Sequence, residues 1–230
     1  MRKAVALLPM KAHSERVPNK NVRLLAGKPL FCHIADTLFA SMLFDRLCIN
    51  TDSEQIMEAA RKKYPAEWLV IHERPKALCG DHVPMNHIIA DDLERLGLRG
   101  NYLQTHSTNP FVTVKTLQTA YARFIHGFEE GFDSLFSVTK YQARFFDKDF
   151  NALNHDPGQL IRTQDLPPVY EENSCFYLFT YDSFNKKKSR VGKKPQYYVV
   201  NAGCAEFLDI DTQQQWHLAE AIANQELKNS

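Results

Sequence analysis

Three cations, Lys11, Arg16 and Lys20, stand close together near the start of this sequence, with Ser14 among them and Asn21 directly after. They follow residues 4–8, a short apolar run closed by Pro9 that reads as a buried strand. Ligands of open parallel sheets bind beyond the carboxyl ends of strands. Lysine and arginine placed there neutralise phosphate oxygens through charge-assisted hydrogen bonds. A solvated basic loop has the same composition, so the cations alone leave both readings open. A second group lies near the other end, in residues 207–212. Asp209 and Asp211 are two apart, so an extended segment puts both carboxylates on one face. Such a pair at a strand end suits Mg²⁺, which takes oxygen ligands and bridges to substrate phosphates. The simpler role is capping of the following helix by Asp211 or Thr212, and one aspartate can serve each purpose.

Two further clusters carry polar side chains suited to a hydroxyl-rich ligand. In residues 162–173, Arg162 can grip a carboxylate bidentately, while Gln164 and Asn173 add neutral donors and acceptors. That set matches a sugar acid, and it also matches an ordinary polar surface loop. Residues 104–110 follow a strand with a run of small polar side chains that could line a pocket at the sheet edge. His106 within it is an acid–base candidate, against the plainer reading of a strand-end turn. His33, His72 and His87 sit inside periodic elements and read as packing or surface residues. Nothing has the form of a serine or cysteine triad.

The elements that must position these groups alternate along the chain. Strands are expected near residues 4–8, 47–50, 68–72, 102–104, 134–139, 176–180 and 197–200. Helices are expected near 31–43, 54–64, 87–96, 114–124 and 214–226. In the first helix Ile34, Leu38 and Met42 recur at helical spacing, and Asp52 or Ser53 caps the second. Alternation of this kind predicts an α/β fold with helices on both faces of a sheet. From 140 to 168 the alternation fails in a polar, aromatic, turn-rich stretch, the usual form of a binding loop or interaction arm.

Composition excludes several classes. A net charge of +1 argues against nucleic acid or an anionic membrane surface as the main partner, so an anionic ligand must meet a local cluster. No apolar run approaches the roughly 18 residues of a membrane span. Five cysteines, Cys32, Cys48, Cys79, Cys175 and Cys204, form no CxxC pair and read as reduced thiols of a cytoplasmic protein.

Taken in order along the chain, these segments resemble the acylneuraminate cytidylyltransferase family, which includes the synthetases that activate KDO. Its signature loop runs roughly P-A-R-G-G-S-K-x-I-P-x-K-N; here Pro9, Ser14, Pro18, Lys20 and Asn21 match, and Arg16 is similar to an arginine of the KDO branch. A G-K-P-L turn stands at Gly27 to Leu30, a T-D strand end at Thr51-Asp52 and an R-P pair at Arg74-Pro75. The R-x-Q-x-L-P-x-x-Y-x-x-N-G pattern of the sialic-acid branch is met by Arg162, Gln164, Leu166, Pro167, Tyr170 and Asn173, with Ser174 in place of the glycine. The D-I-D-T ending is complete at Asp209 to Thr212. The departures are Lys11 for the usual arginine, Ala12-His13 for the glycine pair, and a longer, differently lined 103–110 segment. Lysine keeps the charge and loses the bidentate fork.

The resemblance implies a three-layer Rossmann-like nucleotidyltransferase fold of the glycosyltransferase-A-like kind, with a mixed sheet. It implies one domain over residues 1–230, with 140–168 as a protruding arm through which members dimerise and complete each other's site. The implied reaction is transfer of CMP from CTP to a sugar acid of the sialic acid type, with release of pyrophosphate and dependence on Mg²⁺. It implies catalytic roles on the triphosphate for Lys20, Lys11 and Arg16, and nucleotide contacts for Ser14, Asn21, Arg74 and Gln104. It implies acceptor contacts for Arg162, Gln164, Tyr170 and Asn173, and metal ligation by Asp209 and Asp211. Other readings are a CTP-binding protein without turnover, or a cytidylyltransferase for KDO or a non-sugar alcohol phosphate.

Overall fold

The strand β1 (Ala4–Met10) is buried along its whole length, as a strand covered on both faces must be. Its side chains alternate: Ala6 and Leu8 enter one apolar layer, Val5 and Leu7 the other. The computed structural model describes residues 4–201 and 204–229. After β1 the chain forms a small hairpin of β2 (Leu24–Leu25) and β3 (Lys28–Pro29), then α1 (Leu30–Ala40), β4 (Phe44–Thr51), α2 (Glu54–Lys63) and β5 (Leu69–Glu73). It continues through α3 (Met85–Leu96), β6 (Asn101–Thr105), α4 (Val114–Gly127), β7 (Ser134–Tyr141), β8 (Val169–Thr180), α5 (Tyr181–Lys187), β9 (Pro195–Asn201) and α6 (Gln213–Asn229).

The seven-stranded sheet has the order β5-β4-β1-β6-β8-β7-β9. Pairing is parallel from β5 to β6 and between β7 and β9, and β8 runs antiparallel to both its neighbours. Phe31, Ile34 and Leu38 of α1, Ile56 of α2 and Leu117 of α4 pack on one face. Ile89 and Leu93 of α3 and Phe184 of α5 pack on the other. This is the expected α/β architecture, a mixed sheet between two helical layers.

Several local expectations need correction. The first helix ends at Ala40, not 43, because Met42 turns into the left-handed region at φ 58° and stands 68% exposed instead of on the buried face. Of the two residues expected to cap α2, Ser53 takes the role, its side chain accepting from the Ile56 amide. The Asp209–Asp211 segment is not a strand end; it follows a 3₁₀ turn at Ala205–Phe207. The helix α5 went unforeseen: it is short and polar, fixed by a reciprocal Thr180–Ser183 capping box and one apolar anchor, Phe184.

The strand β8 is longer than its apolar core because it carries a bulge. Tyr177 to Glu172 spans the register that Phe136 to Val138 spans in β7. Asn173 stitches the bulge, donating to Thr139 Oγ1 at 3.0 Å and accepting from the Cys175 amide at 3.2 Å. Ser174 there adopts φ 57°, a conformation that suits the glycine of the family pattern. From 142 to 168 the chain is irregular apart from an isolated Phe146–Ala152 bridge and a 3₁₀ turn at Thr163–Asp165.

Candidate active site

β4 lies on one side of β1 and β6 on the other, so the loops that leave β1 and β6 diverge at their carboxyl ends. Such a switch point opens a crevice in any sheet of this kind. Here it is a cleft of about 380 Å³, lined by residues from both loops together with Arg74, Ser174, Arg190, Asp209 and Asp211.

The basic loop is held at both ends. Asp52 Oδ1 accepts the Ala12 amide at 2.7 Å. Asn21 donates to the Lys11 carbonyl at 2.9 Å and accepts from Ser107 Oγ at 2.6 Å. Its middle is held by packing, since Val17 is buried in an apolar cluster with Leu208, Ile210 and Trp216. The same cluster sets the acids. Leu208 and Ile210 turn inward, so Asp209 and Asp211, alternating with them, line the cleft. The start of α6 makes no demand on the Asp211 side chain: Thr212 Oγ1 accepts the Gln215 amide at 3.2 Å, and Gln215 Oε1 accepts the Thr212 amide at 2.8 Å and the Asp211 amide at 2.9 Å.

Cations and acids therefore meet. Lys20 Nζ donates to the Ile210 carbonyl at 2.7 Å and to Asp211 Oδ1 at 3.0 Å, and Arg16 lies 3.0 Å from Asp211 Oδ2. Burial opposes ionisation of Asp211, but the hydrogen bond and charge of Lys20, with the charge of Arg16, outweigh it and hold the carboxyl below its usual range. Asp209 goes the other way: burial pushes its carboxyl up, opposed in part by a hydrogen bond with Thr108. Its Oδ1 is buried without a hydrogen-bond partner among the described residues. Lys11 pairs with Asp81, both half-exposed. Ser14 is half-buried on the loop and does not line the cleft.

Arg74 lines the cleft while tying two strand ends together. Its Nε donates to Asn50 Oδ1 at 2.8 Å and its NH2 to the Met10 and Asn50 carbonyls at 3.0 and 2.9 Å. Asn50 in turn donates to Asp92 Oδ1 at 2.7 Å, where His72 Nδ1 also lies at 2.7 Å. Cys48 completes that buried group, so His72 is a buried network residue as well as a packing one.

On the other side of the cleft a second arginine, absent from the sequence expectations, organises the polar residues. Arg190 donates to Gln104 Oε1, lies 3.4 Å from His106 Nε2 and stacks 3.5 Å over the Tyr177 ring. Gln104 Nε2 also reaches His106 Nε2, at 3.1 Å. Burial, then the charge of Arg190, pulls His106 down to about 3, so at neutral pH it is an uncharged acceptor and a weak base. Its acid–base candidacy finds no support. Arg190 sits beside the lysines of 186–194, a run that reads as a solvated face, so the sequence held no signal for it.

The structure does not bring the 162–173 cluster to this cleft. Arg162 is exposed and pairs with Asp165 at 2.7 Å, Gln164 is exposed, and Tyr170 stands 43% exposed beside Tyr197. Asn173 is buried and spent on the bulge.

The profile of the family described as Cytidylyltransferase matches residues 5–229. The chain belongs to the cytidylyltransferase family. Members are nucleotidyltransferases, and the sequence resemblance is thereby borne out. The chain is 28% identical to CMP-N,N'-diacetyllegionaminic acid synthase of Legionella pneumophila, over 95% of each chain. It is 26% identical to pseudaminic acid cytidylyltransferase of Campylobacter jejuni, over 96% of each. In fold it is similar to a CMP:2-keto-3-deoxy-manno-octonic acid synthetase complexed with CTP, with a TM-score of 0.69 at 14% identity, covering 98% of this chain and all of that one. No described helix is long and apolar enough to cross a membrane.

Proposed function

We propose that this chain transfers CMP from CTP to the anomeric hydroxyl of a nonulosonic acid. The hydroxyl oxygen bonds to the α-phosphorus as the bond to the bridging oxygen breaks, and pyrophosphate leaves. The observation that carries this reading is the meeting of Lys20 and Arg16 with Asp211 at one cleft, beside an Asp209 whose buried Oδ1 has no partner among the described residues. The names of the two relatives supply the acceptor class, a nine-carbon sugar acid.

In this reading Lys11, Arg16 and Lys20 neutralise the triphosphate, with Ser14 and Asn21 shaping the loop. Arg74 lines the nucleotide pocket, while Gln104 is fully buried and acts through Arg190 and His106. Asp209 and Asp211 would hold Mg²⁺; hard carboxylate oxygens, one of them unsatisfied, suit that ion. Bound there, the ion offsets negative charge on the phosphates. What the chain itself contributes is mainly orientation and electrostatics, as is usual for transfer at phosphorus.

We also propose that residues 1–230 act as one catalytic domain and that the 140–168 arm mediates a homodimer. Phe150, Leu153 and Leu160 on that arm stand 85, 61 and 92% exposed, an apolar surface suited to a second copy. Arg162, Gln164 and Tyr170 would then contact the acceptor in the partner's cleft. Five free thiols support a reducing, cytoplasmic setting.

The test is pyrophosphate release with CTP, Mg²⁺ and a panel of N-acetylneuraminate, N,N'-diacetyllegionaminate, pseudaminate, KDO and methylerythritol phosphate. Release with a nonulosonic acid alone supports the reading. Release with KDO or the alcohol phosphate moves the acceptor class, and tight CTP binding without release from any acceptor refutes turnover.

A further inference from the structure

The cations assigned to the triphosphate all lie on the loop after β1, but another largely buried cation lines the cleft from a different part of the chain. Arg190 has a side chain only 17% exposed. A buried guanidinium is costly unless its charge and donors are matched. Here the match is incomplete. One edge reaches Gln104 and His106 through NH1, and one face rests on the Tyr177 ring. The NH2 edge has a loose partner, Glu172 Oε1 at 3.9 Å, beyond hydrogen-bond reach. Glu172 is itself half-exposed and bonded to the Tyr177 hydroxyl. A carboxylate of the chain thus already lies near the spot where a carboxylate would be gripped, at a distance that a closer one would outcompete.

The surroundings of this spot differ from those of the basic loop. His106 and Ser174 line the cleft beside Arg190, and Gln104 is buried behind them, bonded to both Arg190 and His106. One planar fork among hydroxyl and amide partners suits a single carboxylate on a polyhydroxylated body better than a chain of phosphates. We propose that Arg190 is the carboxylate-binding residue of the cleft and grips the acid group of the acceptor. This rests on the acceptor class proposed above, and it shifts within one chain the role that the sequence suggested for Arg162.

The test uses the full chain with CTP bound and compares N-acetylneuraminic acid with its neutral methyl ester, read by direct titration and by pyrophosphate release. The wild type should bind the acid about thirtyfold more tightly than the ester, the scale of one charge-assisted pair. In R190Q the acid should fall to the affinity of the ester, with CTP affinity within twofold of wild type as the check on folding. R190K, which keeps charge and loses the fork, should retain part of the preference, and it carries the same readout if R190Q fails to fold. A preference intact in the variants, or absent in the wild type, overturns the assignment. An acid preference that R190Q abolishes, in a protein that releases no pyrophosphate, would refute the proposed reaction and leave Arg190 as the carboxylate site. Release with a preference that ignores Arg190 would do the reverse.

Discussion

Replacing Lys20 by methionine keeps the stem in its packing and removes only the ammonium. Two contacts go: the 2.7 Å hydrogen bond to the Ile210 carbonyl and the 3.0 Å pair with Asp211. Ile210 is fully buried, so its carbonyl loses a partner without gaining water, at about 1–3 kcal/mol. The ion pair adds less, because the Asp211 side chain is 38% exposed and still has Arg16; exposed pairs contribute about 0–1 kcal/mol. For a chain of this size the sum lowers the melting temperature by roughly 3–10 °C, leaving the protein folded at 25 °C. Catalysis should suffer more. Losing one preorganised charged donor at a developing negative charge costs about 10²–10³ in turnover. Pyrophosphate release, measured beside a urea titration, separates the two effects. Turnover within threefold of wild type in a folded K20M protein would remove Lys20 from the mechanism and leave it a structural tie between loop and tail.

Other outcomes follow from the same geometry. S174G should raise the urea midpoint by the equivalent of about 0.5–1 kcal/mol, since the serine holds φ 57° at a cost that glycine avoids; a lower midpoint would contradict this. D209N should melt above wild type at neutral pH without Mg²⁺, because burial raises the carboxyl and its ionised form costs stability once pH exceeds its folded value. Added Mg²⁺ should close that gap, and a gap that ignores the ion would refute the ligand role. D211N should sharply raise the Mg²⁺ concentration needed for release; an unaltered requirement would leave Asp211 only a partner of Lys20 and Arg16. The carboxyl of Asp211 is depressed in the fold, so its stabilisation is present above the unfolded value and lost as pH falls through the folded one. Acid titration of D211N should therefore lose stability less steeply below about pH 4 than wild type.

Much of this was readable before any coordinates. Central strands such as β1 declare themselves by unbroken apolar runs, and helices by spacing. The meeting of basic loop and acidic pair was legible only through the order of motifs, because what joins them, Val17 against Ile210 and Trp216, is packing between residues far apart in sequence. The same reason hid Arg190, whose neighbours Gln104 and Tyr177 come from strands that pair antiparallel across a long excursion. Asn173 shows the opposite failing. Its pattern is plain in the sequence, but the described structure spends it on a bulge, a use that no spacing rule distinguishes from ligand contact. Arg162, Gln164 and Tyr170 were legible as a group, and a single chain leaves them facing solvent.

The apolar staple formed by Val17, Ile210 and Trp216 also sets an order of events during synthesis. The cationic loop leaves the ribosome long before the helix that clamps it. A nascent chain stopped just short of residue 213 would possess the loop cations and both aspartates but lack Trp216 and Ala219, the helical half of the packing that holds them together. Truncations or frayed variants of α6 should therefore lose nucleotide affinity, although no described side chain of that helix borders the cleft.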